Sequence, residues 1–247
     1  KDLLDGFLRG LDTHTHALHL DTRVERLLIN EGRVQGVQTS QGPVWADKVV
    51  LAAGAWSGKI AKTAGLIRPL TPLRRSIFVT EPVFSPDNPS PWIWVDDVGI
   101  YARPMDGRLM VSPCDERVDR VEHDSSWGQT ESWQAALLER KTETYFPGLN
   151  LKRIQKSWTG LRTFAPDRRP LVGEDPDLPG LWWAAGLGGF GVSCAIGVGE
   201  ALSAWMQEQT VDWLDPRMVS PGRPMASKWL MRPNGHIHDD RLIPAGI

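Results

Sequence analysis

A short strand that ends in glycines and runs directly into a helix constrains this chain more than any other stretch. Residues 181–192 read LWWAAGLGGFGV. The run LWWAA is typical of a buried strand, and the glycines after it allow backbone conformations and close approaches that side chains forbid. The helix predicted over 191–207 points its free N–H groups and the positive end of its dipole back at the loop. The pattern predicts a site for a flat, partly anionic group.

The same glycine loop has a plainer interpretation, and one expected partner motif is absent. Small residues at Ala195, Gly197 and Gly199 would also let the helix pack tightly against its neighbours. No G-x-G-x-x-G nucleotide fingerprint lies upstream of the stretch. The chain therefore carries only part of a nucleotide-binding unit, if it carries one.

Three further positions carry side chains suited to an anionic ligand. Arg162 lies on the apolar strand WTGLRTF, where a buried guanidinium needs a partner. It would either hold a carboxylate by two parallel hydrogen bonds or pair internally with Asp167. Tyr101 lies on the strand IYARP, where its hydroxyl could help such a clamp or simply be half-buried. Alternation along RRSIF would turn one of Arg74 and Arg75 inward and the other outward.

The order of predicted elements indicates two interleaved domains. Residues 1–11 form an amphipathic helix, and 17–54 form a three-stranded meander whose last strand, Val44 to Leu51, is buried on both faces. An antiparallel block follows, with a helix from Thr130 to Tyr145 capped by Thr130. The fold class is α/β with an α+β second domain. The predicted domains are 1–71 with 158–214, then 72–157, and a tail over 215–247.

Composition excludes several classes of protein. The net charge is −2 and no apolar run is long enough to span a bilayer, which argues against a nucleic-acid-binding domain and a membrane span. The two isolated cysteines indicate reduced thiols in a cytoplasmic protein, free or peripherally associated with a membrane. His14, His16 and His19 lack further ligands nearby, so we expect no metal site there. The tail histidines in HIHDD are interpreted in the same way.

Four motifs in register resemble one enzyme family. The sequences VVLAAGAWS, IYARPMDGRLMVSP, WTGLRTFAPDRRPLVG and PGLWWAAGLGGFGV resemble the FAD-dependent D-amino-acid oxidase, glycine oxidase and sarcosine oxidase family over most of residues 1–207. Within it, RRSIF and WTGLR-F are most similar to D-amino-acid dehydrogenases of the D-arginine dehydrogenase type. The resemblance implies a Rossmann-like FAD domain, incomplete at its N-terminal side, interleaved with an antiparallel-sheet substrate domain.

The resemblance also implies roles for particular residues. Arg162 would clamp the substrate carboxylate, aided by Tyr101, and one of the Arg74–Arg75 pair, taken as Arg75, would face the pocket. The expected FAD contacts are Ala53, Gly54 and Trp56 at the border of the cofactor, Val24 through its main chain at the adenine end, and Gly188, Gly189, Phe190, Gly191 and Val192 along the pyrimidine edge. No cysteine lies where some sarcosine oxidases bond to flavin, so the resemblance implies a non-covalent FAD.

The implied reaction is oxidation of the Cα–N bond of a D-amino acid to an imine, which water converts to a 2-oxo acid and ammonia. Alternatives are a glycine- or sarcosine-type secondary-amine oxidase and a non-catalytic remnant or subunit of such a flavoenzyme. The electron acceptor is left open between oxygen and a quinone. Because the fingerprint is absent upstream, an N-terminal segment or a second chain is expected to complete the FAD site.

Overall fold

The computed structural model describes residues 2–11, 14–85, 87, 91–119, 121, 128–149, 151 and 153–225. These residues form four α-helices and eleven strands, together with short 3₁₀ turns. The helices are α1 (Asp2–Arg9), α2 (Ser57–Lys62), α3 (Ser132–Tyr145) and α4 (Gly191–Met206). The strands are β1 (Val24–Asn30), β2 (Arg33–Thr39), β3 (Gly42–Trp45), β4 (Val49–Leu51), β5 (Thr71–Thr80), β6 (Ile93–Val95), β7 (Ile100–Met105), β8 (Arg108–Ser112), β9 (Ile154–Phe164), β10 (Leu171–Glu174) and β11 (Leu181–Ala185).

The strands form three sheets. One is the antiparallel meander β1-β2-β3, and another has the order β10-β11-β4, with β4 parallel to β11. The third has the order β6-β7-β8-β5-β9 and is antiparallel throughout. A parallel pair in one sheet and a separate antiparallel sheet agree with the predicted fold class, and the division into two interleaved domains stays a prediction. The predicted boundary at residue 158 falls inside β9, which pairs with β5 as far as Phe164.

The single strand predicted from Val44 to Leu51 is wrong, because the chain forms two strands in different sheets. β3 pairs with β2, whereas the backbone N–H of Val49 donates to Gly180 O at 2.8 Å and leads β4 along β11. Burial on both faces is also wrong, since Val50 keeps 40% of its surface exposed. In the described chain β4 is an edge strand, so one side of it has no neighbouring strand.

Helix α3 covers one face of the five-stranded sheet. Phe78, Val111 and Ala102 form a row across β5, β8 and β7, and pack with Leu138 of α3. Thr130 does not cap this helix, contrary to the prediction, because its hydroxyl pairs with Ser157 Oγ at 2.8 Å. The helix begins one residue after Glu131, whose backbone N–H donates to Gln134 Oε1 at 2.7 Å.

The two remaining apolar cores surround the β10-β11-β4 sheet. One contains Trp183, Leu181 and Leu51 with residues of the meander and α2, and the other packs Trp182 against Leu202 of α4. The start of the predicted tail adds to this region, since Val172 N donates to Val219 O at 2.9 Å. The HIHDD stretch lies outside the described residues. None of the described helices has the length and apolar character needed to cross a membrane.

Candidate functional site

The five-stranded sheet has one covered face and one open face. Side chains alternate along a strand and directly paired residues share a face, so the neighbours of the covered row point the other way. Tyr101, Ile77 and Trp158 therefore lie on the open face, as do Arg75 and Arg162 two or four residues further along their strands. The structure thus brings the three predicted substrate-binding residues to one side of one sheet.

Arg162 is a cation without a hydrogen bond or ion pair among the described residues, although the charge of Glu116 acts on it from a distance. Its guanidinium makes no hydrogen bond or ion pair there, and Asp167, the alternative partner, instead binds Arg223 at 2.8 Å. Burial, followed by the nearby charge of Arg75, lowers the pKa of Arg162 below its ordinary value. A half-buried guanidinium keeps its charge in proteins, so this position favours an anion supplied by a ligand.

The two neighbouring arginines, Arg74 and Arg75, are both engaged, on opposite faces of β5. Arg75 donates to Glu116 Oε1 at 2.8 Å, and the other oxygen of Glu116 accepts from Arg168 at 2.7 Å. Arg74 turns to the covered face, where it contacts Asp119 and the carbonyl of Gln129. Of the two arginines, Arg75 is therefore the one that lies on the same face as Arg162. Its guanidinium is paired with the carboxylate of Glu116.

Tyr101 offers a protonated hydroxyl on the same face. Burial raises the pKa of Tyr101, an effect that outweighs the opposing influence of Arg162. The phenol therefore keeps its proton well above neutral pH and can donate a hydrogen bond. A guanidinium fork and a phenol donor together suit a carboxylate.

The glycine loop is fixed to the end of β9, next to Arg162. Gly188 N donates to Thr163 O at 2.9 Å, and Leu187 forms a β-bridge with Phe164. Helix α4 begins at Gly191, and the first backbone N–H groups of a helix have no intrahelical partner. Phe190 and Val192, which flank this start, are 61% and 77% exposed, so the helix end faces open space.

The loop residues 186–191 read GLGGFG, the spacing of a dinucleotide fingerprint, after a strand and before a helix. Their surroundings differ from a pyrophosphate cradle. A Cβ at Gly188 would lie 2.4 Å from Phe164 Cε1, and one at Gly189 would lie 2.8 Å from Arg162 Nη1. These two glycines make room for side chains of β9. The glycine loop therefore lies directly against the part of β9 that carries Arg162.

The other predicted cofactor contacts divide into two groups. Gly54 and Trp56 belong to a 3₁₀ turn that packs against β9, and Ala53 directly precedes it, so all three lie near the same strand as Arg162. Gly54 has φ +51°, a conformation that glycine tolerates best. Val24 opens β1 in the meander and pairs with Thr39 there. Its predicted contact with the adenine end stays a prediction.

Sequence reasoning missed several residues of the open face. Trp158, Gly160 and Phe164 lie on the same face of β9 as Arg162. Because side chains alternate along a strand, their spacing of two residues predicts this from the sequence. Glu116 gave no such signal, because its segment pairs with β5 only in the folded chain: Arg74 N donates to Arg117 O at 2.8 Å.

Two other features lie apart from this site. A cavity of about 1010 Å³ lies on the side of Ile93, Ala102 and Leu109, away from Arg162. The described residues contain no group of three histidine, cysteine or acidic side chains placed to hold a metal ion.

Comparison with known proteins identifies the family. Residues 1–205 match the model of the DAO family, described as FAD-dependent oxidoreductases. The chain belongs to this family. It is 33% identical over 173 residues to a glycine oxidase of Pseudomonas aeruginosa, covering 68% of this chain and 44% of that protein. It is 30% identical over 215 residues to a D-amino acid dehydrogenase of Cereibacter sphaeroides, covering 82% and 46%.

A solved structure confirms the predicted fold class. The glycine oxidase of Geobacillus kaustophilus superposes with a TM-score of 0.68 at 20% identity, covering 83% of this chain and 53% of that one. This chain therefore spans about half the length of these three relatives.

DAO-family enzymes use FAD, and the residues present fit one part of it. A Cβ at Gly191 would meet nothing within 4 Å, so there is space in front of the helix start. Free N–H groups and the positive helix end there suit the pyrimidine edge of a flavin, where negative charge collects on reduction. That the backbone of Gly188–Val192 holds this edge, and that Ala53, Gly54 and Trp56 border the cofactor, stays a prediction.

Proposed function

We propose that this chain supplies the substrate face and the flavin-edge loop of an enzyme that oxidises the Cα–N bond of a D-amino acid. The observation that carries the proposal is the unpaired guanidinium of Arg162, which lies against Gly189 of the glycine loop. A carboxylate bound there would lie next to the place where the loop would hold FAD. An α-amino acid bound by its carboxylate would bring its Cα close to that place.

The chain's residues position the substrate. Arg162 binds the two carboxylate oxygens, Tyr101 donates a further hydrogen bond to one of them, and Glu116 keeps Arg75 from competing for the anion. FAD, when bound, accepts the two electrons of the Cα–H bond. The substrate loses that hydrogen and one from nitrogen to become an imine, and water then releases ammonia and the 2-oxo acid. The final electron acceptor is proposed to be oxygen or a quinone.

A second candidate is a glycine- or sarcosine-type secondary-amine oxidase. Its support is the similarity to the glycine oxidase of Pseudomonas aeruginosa, at 33% identity. Both candidates use the same carboxylate clamp, so Arg162 does not separate them. The two candidates are separated by which substrates the complete protein oxidises.

We also propose that further polypeptide, on the same chain or a second one, completes the FAD site, because no fingerprint precedes residue 186. The activity then belongs to the complete protein that contains this chain. FAD is proposed to bind non-covalently. Cys114 and Cys194 are both free thiols, which supports a cytoplasmic location.

The test is an oxidation assay with the complete FAD-loaded protein. D- and L-amino acids, glycine and sarcosine are supplied with an artificial electron acceptor, with and without oxygen, and the 2-oxo acid is measured. We expect D-amino acids to be oxidised fastest. Arg162→Lys should lower kcat/KM roughly 100-fold or more, because lysine cannot form the two parallel bonds.

Arg153→Lys is the matched control, since Arg153 precedes the same strand and is mostly exposed. It should leave kcat/KM unchanged, and all variants should keep their FAD. Equal activity of Arg162→Lys and the unmodified protein would exclude the carboxylate clamp. A colourless protein that cannot be loaded with FAD would instead support the non-catalytic remnant.

A further inference from the structure

Gly160 lies in the middle of β9 although the fold does not require a glycine there. Three other glycines in described strands, Gly36, Gly42 and Gly173, have φ values of +140°, +118° and +121°. Gly160 has no such conformation. A glycine inside a strand costs roughly 0.5–1 kcal/mol relative to alanine. The backbone conformation of Gly160 therefore does not explain why a glycine stands at this position of the strand.

The space above Gly160 is empty of protein atoms in the described structure. A Cβ added to it would meet nothing within 4 Å. Its cross-strand partner is Arg75, which would normally pack over a glycine on the same face. The guanidinium of Arg75 is instead bound to Glu116 at 2.8 Å, in a buried pair. A gap therefore remains on the open face.

The walls of this gap are apolar on one side and cationic on the other. Trp158 precedes Gly160 on the open face and pairs with Ile77, and both side chains are half-buried. Arg162 follows Gly160 on the same face. Lys156 Nζ lies 5.6 Å from the centre of the Trp158 ring, so a second cation borders the wall.

We propose that the gap at Gly160 receives the side chain on the substrate's Cα, and that Trp158 and Ile77 select an apolar one. This proposal rests on the proposed carboxylate clamp at Arg162. A substrate held by its carboxylate there would direct its side chain toward the adjoining gap. Apolar groups bury favourably against Trp158 and Ile77, whereas a cationic side chain would meet the charges of Lys156 and Arg162. The substrates are therefore amino acids with apolar or aromatic side chains.

Gly160→Val in the complete FAD-loaded protein tests this proposal. The valine methyl groups would fill the gap without a backbone clash. We expect kcat/KM for phenylalanine and leucine, in the enantiomer that is oxidised, to fall roughly tenfold or more. Glycine, which has no side chain to place, should change less than about twofold. Gly148→Val is the control, since Gly148 also faces open space, near the covered face.

Binding measurements give a readout that needs no turnover. The dissociation constants of phenylacetate and acetate are measured by calorimetry for the same variants. Gly160→Val should weaken phenylacetate roughly tenfold and leave acetate unchanged, whereas Arg162→Lys should weaken both. FAD content is recorded for each variant by its absorbance.

The results that would overturn the proposal for the gap at Gly160 differ from those that would overturn the proposed carboxylate clamp at Arg162. An equal loss for glycine and phenylalanine, no loss for either, or release of FAD by Gly160→Val would assign the gap to something other than a side chain. If the unmodified protein oxidises no amino acid and binds neither carboxylate, the proposed function fails, and this inference with it.

Discussion

Both faces of the five-stranded sheet hold paired polar side chains, but Arg162 on the open face has no hydrogen bond among the described residues. On the covered face, Asp115 accepts hydrogen bonds from Ser76 N, Ser76 Oγ and Gln134 Nε2, at 2.7, 2.9 and 2.6 Å. On the open face, Arg162 has no such partner among the described residues. Buried polar groups contribute to stability only when they are satisfied. The covered face therefore holds the fold, and the open face retains an unpaired charge that stability does not explain.

Asp115→Ala should produce the largest effect, because it breaks the covered face. The change removes one carboxylate that three buried donors share. We expect the free energy of unfolding to fall by about 3–5 kcal/mol, as measured by urea denaturation. Asp212→Ala, at an exposed position, is the control and should stay within about 0.5 kcal/mol. If both variants lose a similar amount of unfolding free energy, the hydrogen bonds to Asp115 are not what stabilises the covered face.

Lys141→Met should have the next largest effect. The ammonium of this α3 residue donates to Val98 O, Gly99 O and Pro113 O at 2.6, 2.9 and 2.7 Å, at the ends of β7 and β8. Methionine has a similar length but no donor, so three buried carbonyls lose their partner. A loss of about 2–4 kcal/mol in the free energy of unfolding is expected. An unchanged urea midpoint would show that water replaces the ammonium.

The stabilities of the unmodified protein and of Lys141→Met should also depend on pH in a direction that can be predicted. Burial lowers the pKa of Lys141 to about 8, whereas an unfolded lysine titrates at about 10.4. Between these values the unfolded state binds more protons, so the unmodified protein gains stability as pH rises through this window. Below about pH 8 both states are protonated and no slope arises. The free energy of unfolding of the unmodified protein should therefore exceed that of Lys141→Met by an amount that increases from pH 8 to 10. A decrease over this range would contradict the lowered pKa of Lys141.

The contrast between the two faces also shows what the sequence could reveal. The strand before the glycine loop, the helix after it and the position of Arg162 on a strand follow from local patterns, and the structure confirms them. Alternation correctly predicted that Arg74 and Arg75 would lie on opposite faces, but it could not choose between them. That choice depends on Glu116, a partner 41 residues away that reaches β5 only after folding.

The error at Val44–Leu51 has a similar cause. An apolar run of this length fits one strand as well as two, because local pattern does not include the hydrogen bond from Val49 N to Gly180 O. The exposure of Val50 depends on which strands lie beside β4, which is a property of the sheet. Long-range pairing, rather than local propensity, set both features.

Gly189→Ala should produce a smaller effect, confined to the open face. Its Cβ would lie 2.8 Å from Nη1 and 3.0 Å from Cζ of Arg162, so the guanidinium must move. We expect phenylacetate binding to weaken about tenfold, since a displaced fork loses part of its bidentate geometry. FAD content should be retained, as measured by absorbance.

A double variant identifies the cause of that loss. In the Arg162→Met background the guanidinium is absent, so Gly189→Ala should no longer weaken binding, and the two changes should be strongly non-additive. Gly199→Ala in α4, where a Cβ also meets nothing within 4 Å, serves as the control. Additive effects would indicate that the loop backbone, not the arginine, requires the glycine.

Arg162→Met should have the smallest effect on stability, although it abolishes the proposed carboxylate clamp. The change removes a half-buried cation that has no hydrogen bond or ion pair among the described residues, and on which the opposing charge of Arg75 acts more strongly than the attraction of Glu116. The free energy of unfolding should therefore stay within about 0.5 kcal/mol of the unmodified protein or rise slightly. Urea denaturation without added carboxylate measures it. A loss as large as that of Asp115→Ala would mean that Arg162 stabilises the fold through a partner, and the open face would then resemble the covered one.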